Sequence, residues 1–104
     1  MKIYGLKNCD TCRKALKSLD GAVLVDIRDT PIGSDLLARA HARFGCDLVN
    51  RRSTTWRNLG QDQRDRPDLE LLADHPSVMK RPLVETADGR LYLGWTKEVQ
   101  AALM

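Results

Sequence analysis

Apolar residues fall in short runs separated by polar turns. Lys2-Ile3-Tyr4 is strand-like and stops at Gly5. The stretch Lys7-Asn8-Cys9-Asp10-Thr11-Cys12 is polar and turn-like. After it, Ala15, Leu16 and Leu19 recur at helical spacing, with Lys14, Lys17 and Ser18 on the other face. Gly21 stands where a helix C-cap belongs. Residues 22–27 are rich in Val, Leu and Ile and read as a buried strand. Strand, helix and strand in this order make a parallel βαβ unit through a right-handed crossover.

The middle of the chain reads as helical. Ser34 is the expected N-cap of a helix that Gly45 ends. A second short helix follows Ser53 and closes at Gly60, and a third starts at Pro67-Asp68 and stops at His75-Pro76. Residues 81–85 form a strand, Ala87-Asp88-Gly89 a tight turn, and residues 90–93 the returning strand of a hairpin. Thr96 caps a last helix through Leu103. The expected fold is α/β: a mixed sheet in the order β-α-β … β-β-α, which is the thioredoxin-like arrangement. It forms one domain over residues 1–104 with a helical subdomain inserted at about 34–75.

A length of 104 residues suits one core and leaves no room for a second. The net charge of +3 and pI near 8.9 suit an anionic small molecule, a glutathione-type thiol or an acidic protein surface. Acidic and basic residues interleave, so no face is marked for direct nucleic-acid binding. No apolar run approaches the roughly 20 residues of a membrane span. The first residues enter a strand without a secretory pattern, so the expected compartment is the cytoplasm.

The chain has three cysteines, and two are close together: Cys9-Asp10-Thr11-Cys12 follows a strand and opens a helix. Helix-start amides lack internal partners and carry partial positive charge, so a thiolate at Cys9 is stabilised there. Lys7 and Arg13 are expected to add positive charge, and Asp10 to oppose ionisation. Cys12, one turn on, either resolves a mixed disulfide on Cys9 or faces the core as a small hydrophobe. Cys46, His41 and His75 are poorly spaced for zinc, and no metal is expected. Cys46 itself reads as a small core or loop residue. Arg51, Arg57, Arg64 and Arg66 read as surface charges. Pro82 stands before the third strand, where the thioredoxin fold carries a cis-proline facing the cysteine, which would put Arg81 beside the thiolate. His75 reads as a helix-terminus residue.

At these residues the sequence resembles the ArsC/Spx family of glutaredoxin-coupled arsenate reductases, Spx regulators and YffB-type ArsC-like proteins. The matching stretches are residues 4–15, Asn50-Arg51-Arg52-Ser53, and His75-Pro76-Ser77-Val78-Met79-Lys80-Arg81-Pro82-Leu83-Val84. The short length and the Asn-Cys-Asp-Thr run are most similar to the YffB type. The resemblance implies Cys9 as the catalytic cysteine, Arg52 and Arg81 as anion-binding arginines, and Pro82 as the cis-proline. Thr11 and Arg13 join the expected substrate-binding set.

The arsenate reductases use a third arginine near the last strand. Here Leu91-Tyr92-Leu93-Gly94-Trp95 has none, and Arg90 precedes the matching position. Those enzymes also carry a serine where this chain has Cys12. The function implied is a glutathione-dependent thiol reductase with Cys9 and Cys12 at its centre. It would have no tightly bound cofactor, and glutathione or glutaredoxin would supply electrons. The alternatives are an Spx-like redox switch that binds RNA polymerase, and a true arsenate reductase.

Overall fold

The computed structural model describes residues 1–104. The chain divides into two compact units, Met1–Thr30 with Arg81–Met104, and Pro31–Lys80. The first contains strands β1 (Lys2–Gly5), β2 (Val23–Asp26), β3 (Leu83–Glu85) and β4 (Leu91–Leu93), with helix α1 (Asp10–Ser18) between β1 and β2. The second contains helices α2 (Ser34–Phe44), α3 (Thr54–Asn58), α4 (Gln61–Arg64) and α5 (Asp68–Asp74). Helix α6 (Lys97–Leu103) closes the chain and belongs to the first unit. The fold is thioredoxin-like, as its strand and helix order implied. No helix is long and apolar enough to cross a membrane.

The sheet runs β2-β1-β3-β4, with β1 parallel to β2 and antiparallel to β3, and β3 antiparallel to β4. Side chains alternate across a strand, so register decides which residues share a face. Ile3 lies opposite Leu24 and Val84, and Val84 opposite Tyr92. That transverse row packs with Ala15 and Leu19 of the α1 segment, and with Leu16, Trp95 and Leu103. Each such aliphatic side chain, when fully buried, contributes about 1.5–3 kcal/mol. The apolar stripe expected on α1 is therefore its sheet-facing side, and the lysine stripe faces solvent.

In the second unit α2 packs on α5, burying Leu37, Ala40, Leu71 and Leu72. An isolated bridge joins Val49 to Met79, and Lys80 N–H donates to Leu48 O at 2.8 Å.

Several expected boundaries move. The N-cap of α2 is Gly33, and Ser34 is the first helical residue. Gly60 does not close the second helix; α3 ends at Asn58 with Leu59 as its C-cap, and Gly60 is the N-cap of the separate short helix α4. Two polar segments with good start signals thus replace one. Strands β2 and β3 are shorter than their apolar runs because pairing, not hydrophobicity, ends a strand. The signals at Ser53, Gly45 and Thr96 act as expected: Ser53 Oγ accepts from Trp56 N–H at 3.1 Å, and Thr96 Oγ1 from Val99 N–H at 3.2 Å. Gly45 ends α2 with φ of 61°.

Gly5 is required by close approach. A β-carbon there would overlap the sulfur of Cys12, which is fully buried on α1. Gly5→Ala is expected to lower the unfolding free energy by about 1–3 kcal/mol through overpacking. Denaturant titration measures this, and adding Cys12→Ala should recover part of the loss. Parent-like stability of the single variant would show that β1 and α1 have room that the structure denies them.

Candidate active site

The chain leaves β1 through a short loop whose shape is set by backbone bonds. Cys9 N–H donates to Leu6 O at 3.1 Å, and Arg13 N–H to Cys9 O at 3.0 Å. Cys9 is therefore the N-cap of α1, with extended φ and ψ of −90° and 120°. A side chain at this position meets the second and third amides of the helix, which have no intrahelical partner. Cys9 is partly exposed, Cys12 fully buried, and neither is in a disulfide.

Five influences decide the protonation of Cys9. Burial acts first and raises its pKa. Against it stand the backbone N–H and the side chain of Cys12, the charge of Arg81, and the backbone N–H of Thr11. Together they win, and the Cys9 thiol titrates below its ordinary value. Cys12 moves the other way, to about 11. Burial is the main cause, and the hydrogen bond to Cys9 and its charge add to it, opposed by a backbone bond at Leu6 and by Arg81. Cys9 is thus the more acidic and more accessible sulfur of the pair, and Cys12 behind it keeps its proton at neutral pH.

Arg81 is brought to this thiolate by the turn before β3, where the Arg81–Pro82 peptide bond is cis and Pro82 is buried. Arg81 thus acts on the cysteine as expected, but Lys7 and Arg13 do not remain available to it. Lys7 Nζ pairs with Asp29 at 3.1 Å, and Arg13 pairs with Asp10 at 2.5 Å. The second of these pairs also corrects the expectation for Asp10, whose charge is balanced three residues away. Thr11 stays exposed at the helix start. Arg52 lies in the second unit, exposed, with its backbone N–H donating to Asn50 Oδ1 at 3.0 Å. Cys46 is an exposed thiol in the 3-10 turn Gly45–Leu48 there, and His75 caps the end of α5.

One residue of this region escaped sequence reasoning. Asp26, buried at the end of β2, accepts from Lys7 N–H at 3.0 Å and from Arg28 N–H at 2.9 Å. Arg28 also reaches Asp26 Oδ2 at 3.2 Å and Asn8 Oδ1 at 3.5 Å. The carboxylate thereby ties down the loop that carries Cys9. The Arg28 side chain first, then the two amides, hold its carboxyl far below the usual range. The available signal was a lone charge inside the apolar run of residues 22–27.

The ArsC family model matches residues 4–103. The chain belongs to the ArsC family. It is 44% identical to an uncharacterized protein of Haemophilus influenzae, over 96% of both chains. Among solved structures, a YFFB protein superposes with a TM-score of 0.86 at 33% identity, covering 98% of this chain and 96% of the other. An arsenate reductase (ArsC) related protein from Brucella melitensis gives 0.71 at 34% identity, covering 97% and 91%.

This ArsC family member is arsenate-reductase-like in fold and sequence, and its last strands carry no inward arginine of their own. Arg90 is exposed and pairs with Asp88 at 3.2 Å across the hairpin turn.

Two outcomes follow from these charges. The rate of Cys9 alkylation against pH should have its midpoint below the free-thiol value of about 8.5, and Arg81→Gln should move it upward. Cys12 should resist alkylation until pH nears about 11. A Cys9 midpoint at the free-thiol value would remove the electrostatic account. Asp26 has a depressed pKa, so its contribution to stability is present above the usual carboxylate pKa near 3.9 and lost as pH falls through the folded value. Asp26→Asn should therefore be less stable than the parent at pH 7, with the gap narrowing in strong acid. Urea titrations at several pH values measure it, and a pH-independent gap would contradict it.

Proposed function

We propose that this protein is a glutathione-dependent thiol reductase acting on mixed disulfides. The observation that carries the reading is the opposed ionisation of Cys9 and Cys12 at the head of α1. An attacking sulfur must be ionised and reachable, and the lowered pKa and partial exposure of Cys9 favour both.

The Cys9 thiolate attacks the glutathione sulfur of a mixed disulfide. A Cys9–glutathione disulfide forms, the old S–S bond breaks, and the substrate leaves as its thiolate. A second glutathione thiolate then attacks the glutathione sulfur bound to Cys9. It releases oxidised glutathione and restores the Cys9 thiolate. The net exchange converts one mixed disulfide and one glutathione into the substrate thiol and one oxidised glutathione. Cys12 offers an internal route, because its thiolate can attack Cys9 Sγ, expel glutathione and close a Cys9–Cys12 disulfide. Arg81 lies where it stabilises the attacking anion. The lack of an arginine in β4, with Arg90 held by Asp88, supports a disulfide rather than an arsenate substrate.

The test is turnover of the mixed disulfide of glutathione and 2-mercaptoethanol, with glutathione reductase and NADPH reporting oxidised glutathione. Cys9→Ser should abolish the enzymatic rate, whereas Cys12→Ser should slow it only several-fold because glutathione still resolves the intermediate. Turnover that survives Cys9→Ser would sink the proposal.

A further inference from the structure

We propose that the groove beside α1 and α6 binds an acidic peptide segment of a protein that presents its disulfide to Cys9. This rests on the reading of Cys9 as the attacking thiol. The groove has a volume of about 530 Å³ and is lined by Thr11, Lys14, Lys17, Ser18, Trp95 and Gln100. All six belong to the first unit.

Its chemistry is one-sided. Lys14 and Lys17 are exposed, stand one turn apart on α1, and form no ion pair. No carboxylate lines the groove; Asp20 and Glu98, close by in sequence, are not among its walls. The far wall is firm. Trp95 packs on the core cluster of Ile3, Ala15, Leu19 and Val84, and Gln100 Nε2 donates to Trp95 O at 3.1 Å. A fixed indole, hydroxyls at both ends and two uncommitted cations suit a main chain carrying carboxylates.

The position identifies the occupant. Thr11 lines one end, and its amide acts on the Cys9 thiolate. From there the groove follows α1 to Ser18, about 10 Å at the helical rise, or roughly three extended residues. A chain leaving the reacting cysteine in one direction would fit this length. Glutathione, held through its central cysteine, would place its two carboxylates on opposite sides of the sulfur instead. In the step itself Cys9 Sγ bonds to the partner's cysteine sulfur, the partner's disulfide breaks, and the distal sulfur leaves as thiolate.

The experiment compares three peptides. Each carries a cysteine disulfide-linked to 2-mercaptoethanol, followed by three Glu, three Gln or three Lys. Exchange rates are divided by the same variant's rate with hydroxyethyl disulfide. The Glu peptide should exceed the Lys peptide by about tenfold at low salt, and Lys14→Glu with Lys17→Glu should invert the order. Equal rates for the three peptides would overturn the proposal. So would an equal loss with oxidised glutathione, which would assign the groove to the tripeptide. Failure of Cys9 with hydroxyethyl disulfide would instead strike the thiol reading. Binding of a Glu peptide with Ser in place of Cys is then decisive: NMR shifts at Lys14, Lys17 and the Trp95 indole support the groove, and their absence refutes it.

Discussion

A sulfur of lowered pKa, half-hidden at a helix start, is the constraint around which the rest of the first unit is arranged. Burial opposes the charge and outweighs any single favourable contact. The thiolate depends on several modest contributions converging on one atom. Two come from amides that α1 leaves unpaired, one from the sulfur a turn behind, and one from a guanidinium delivered by a strand far along the chain. Each has a structural prerequisite: a helix that starts at residue 10, a glycine in β1 thin enough to admit Cys12, and the turn into β3.

The neighbouring charges matter by being occupied. Asp10 would oppose the thiolate from the first helical position, but it is tied to Arg13. Lys7 is drawn off to Asp29, while its amide is held by Asp26. Local charge is thereby nearly balanced before Arg81 arrives, which makes Arg81 the cation that favours ionisation of Cys9. Exposed pairs of this kind add little stability. Their consequence here is electrostatic: they restrict which distant residue sets the reactivity of the thiol.

Much of this was legible in the chain because the signals are local. The apolar spacing of Ala15, Leu16 and Leu19 gives both the helix and its buried face, and the caps at Ser53 and Thr96 act where they stand. The cysteine at a strand-to-helix junction needs only the rule about unpaired amides. What stayed hidden depends on partners distant in sequence. Nothing near Lys7 says that it will choose Asp29, 22 residues further on. The role of Asp26 appears only when β2 lies beside β1 and its carboxylate meets the loop. The split between α3 and α4 was missed because both segments are short and polar, so periodicity had nothing to measure. Arg81 was reached through family likeness and the position of Pro82, not through any pattern of its own.

The pairing of the two sulfurs also gives an order to the chemistry. While Cys9 is ionised, its charge and the hydrogen bond it accepts help to keep Cys12 protonated near pKa 11. When Cys9 enters a disulfide its negative charge is gone, and with it that part of the penalty on Cys12. Arg81, which lowers both thiols, then has only Cys12 to favour. Formation of the first covalent bond thus makes Cys12 more acidic by removing a neighbouring negative charge. Burial still holds Cys12 above an ordinary thiol, so an external thiol of lower pKa competes well for the same intermediate. In the proposed reaction the primary nucleophile is the sulfur of lowered pKa, and the second becomes more acidic only after the first has reacted.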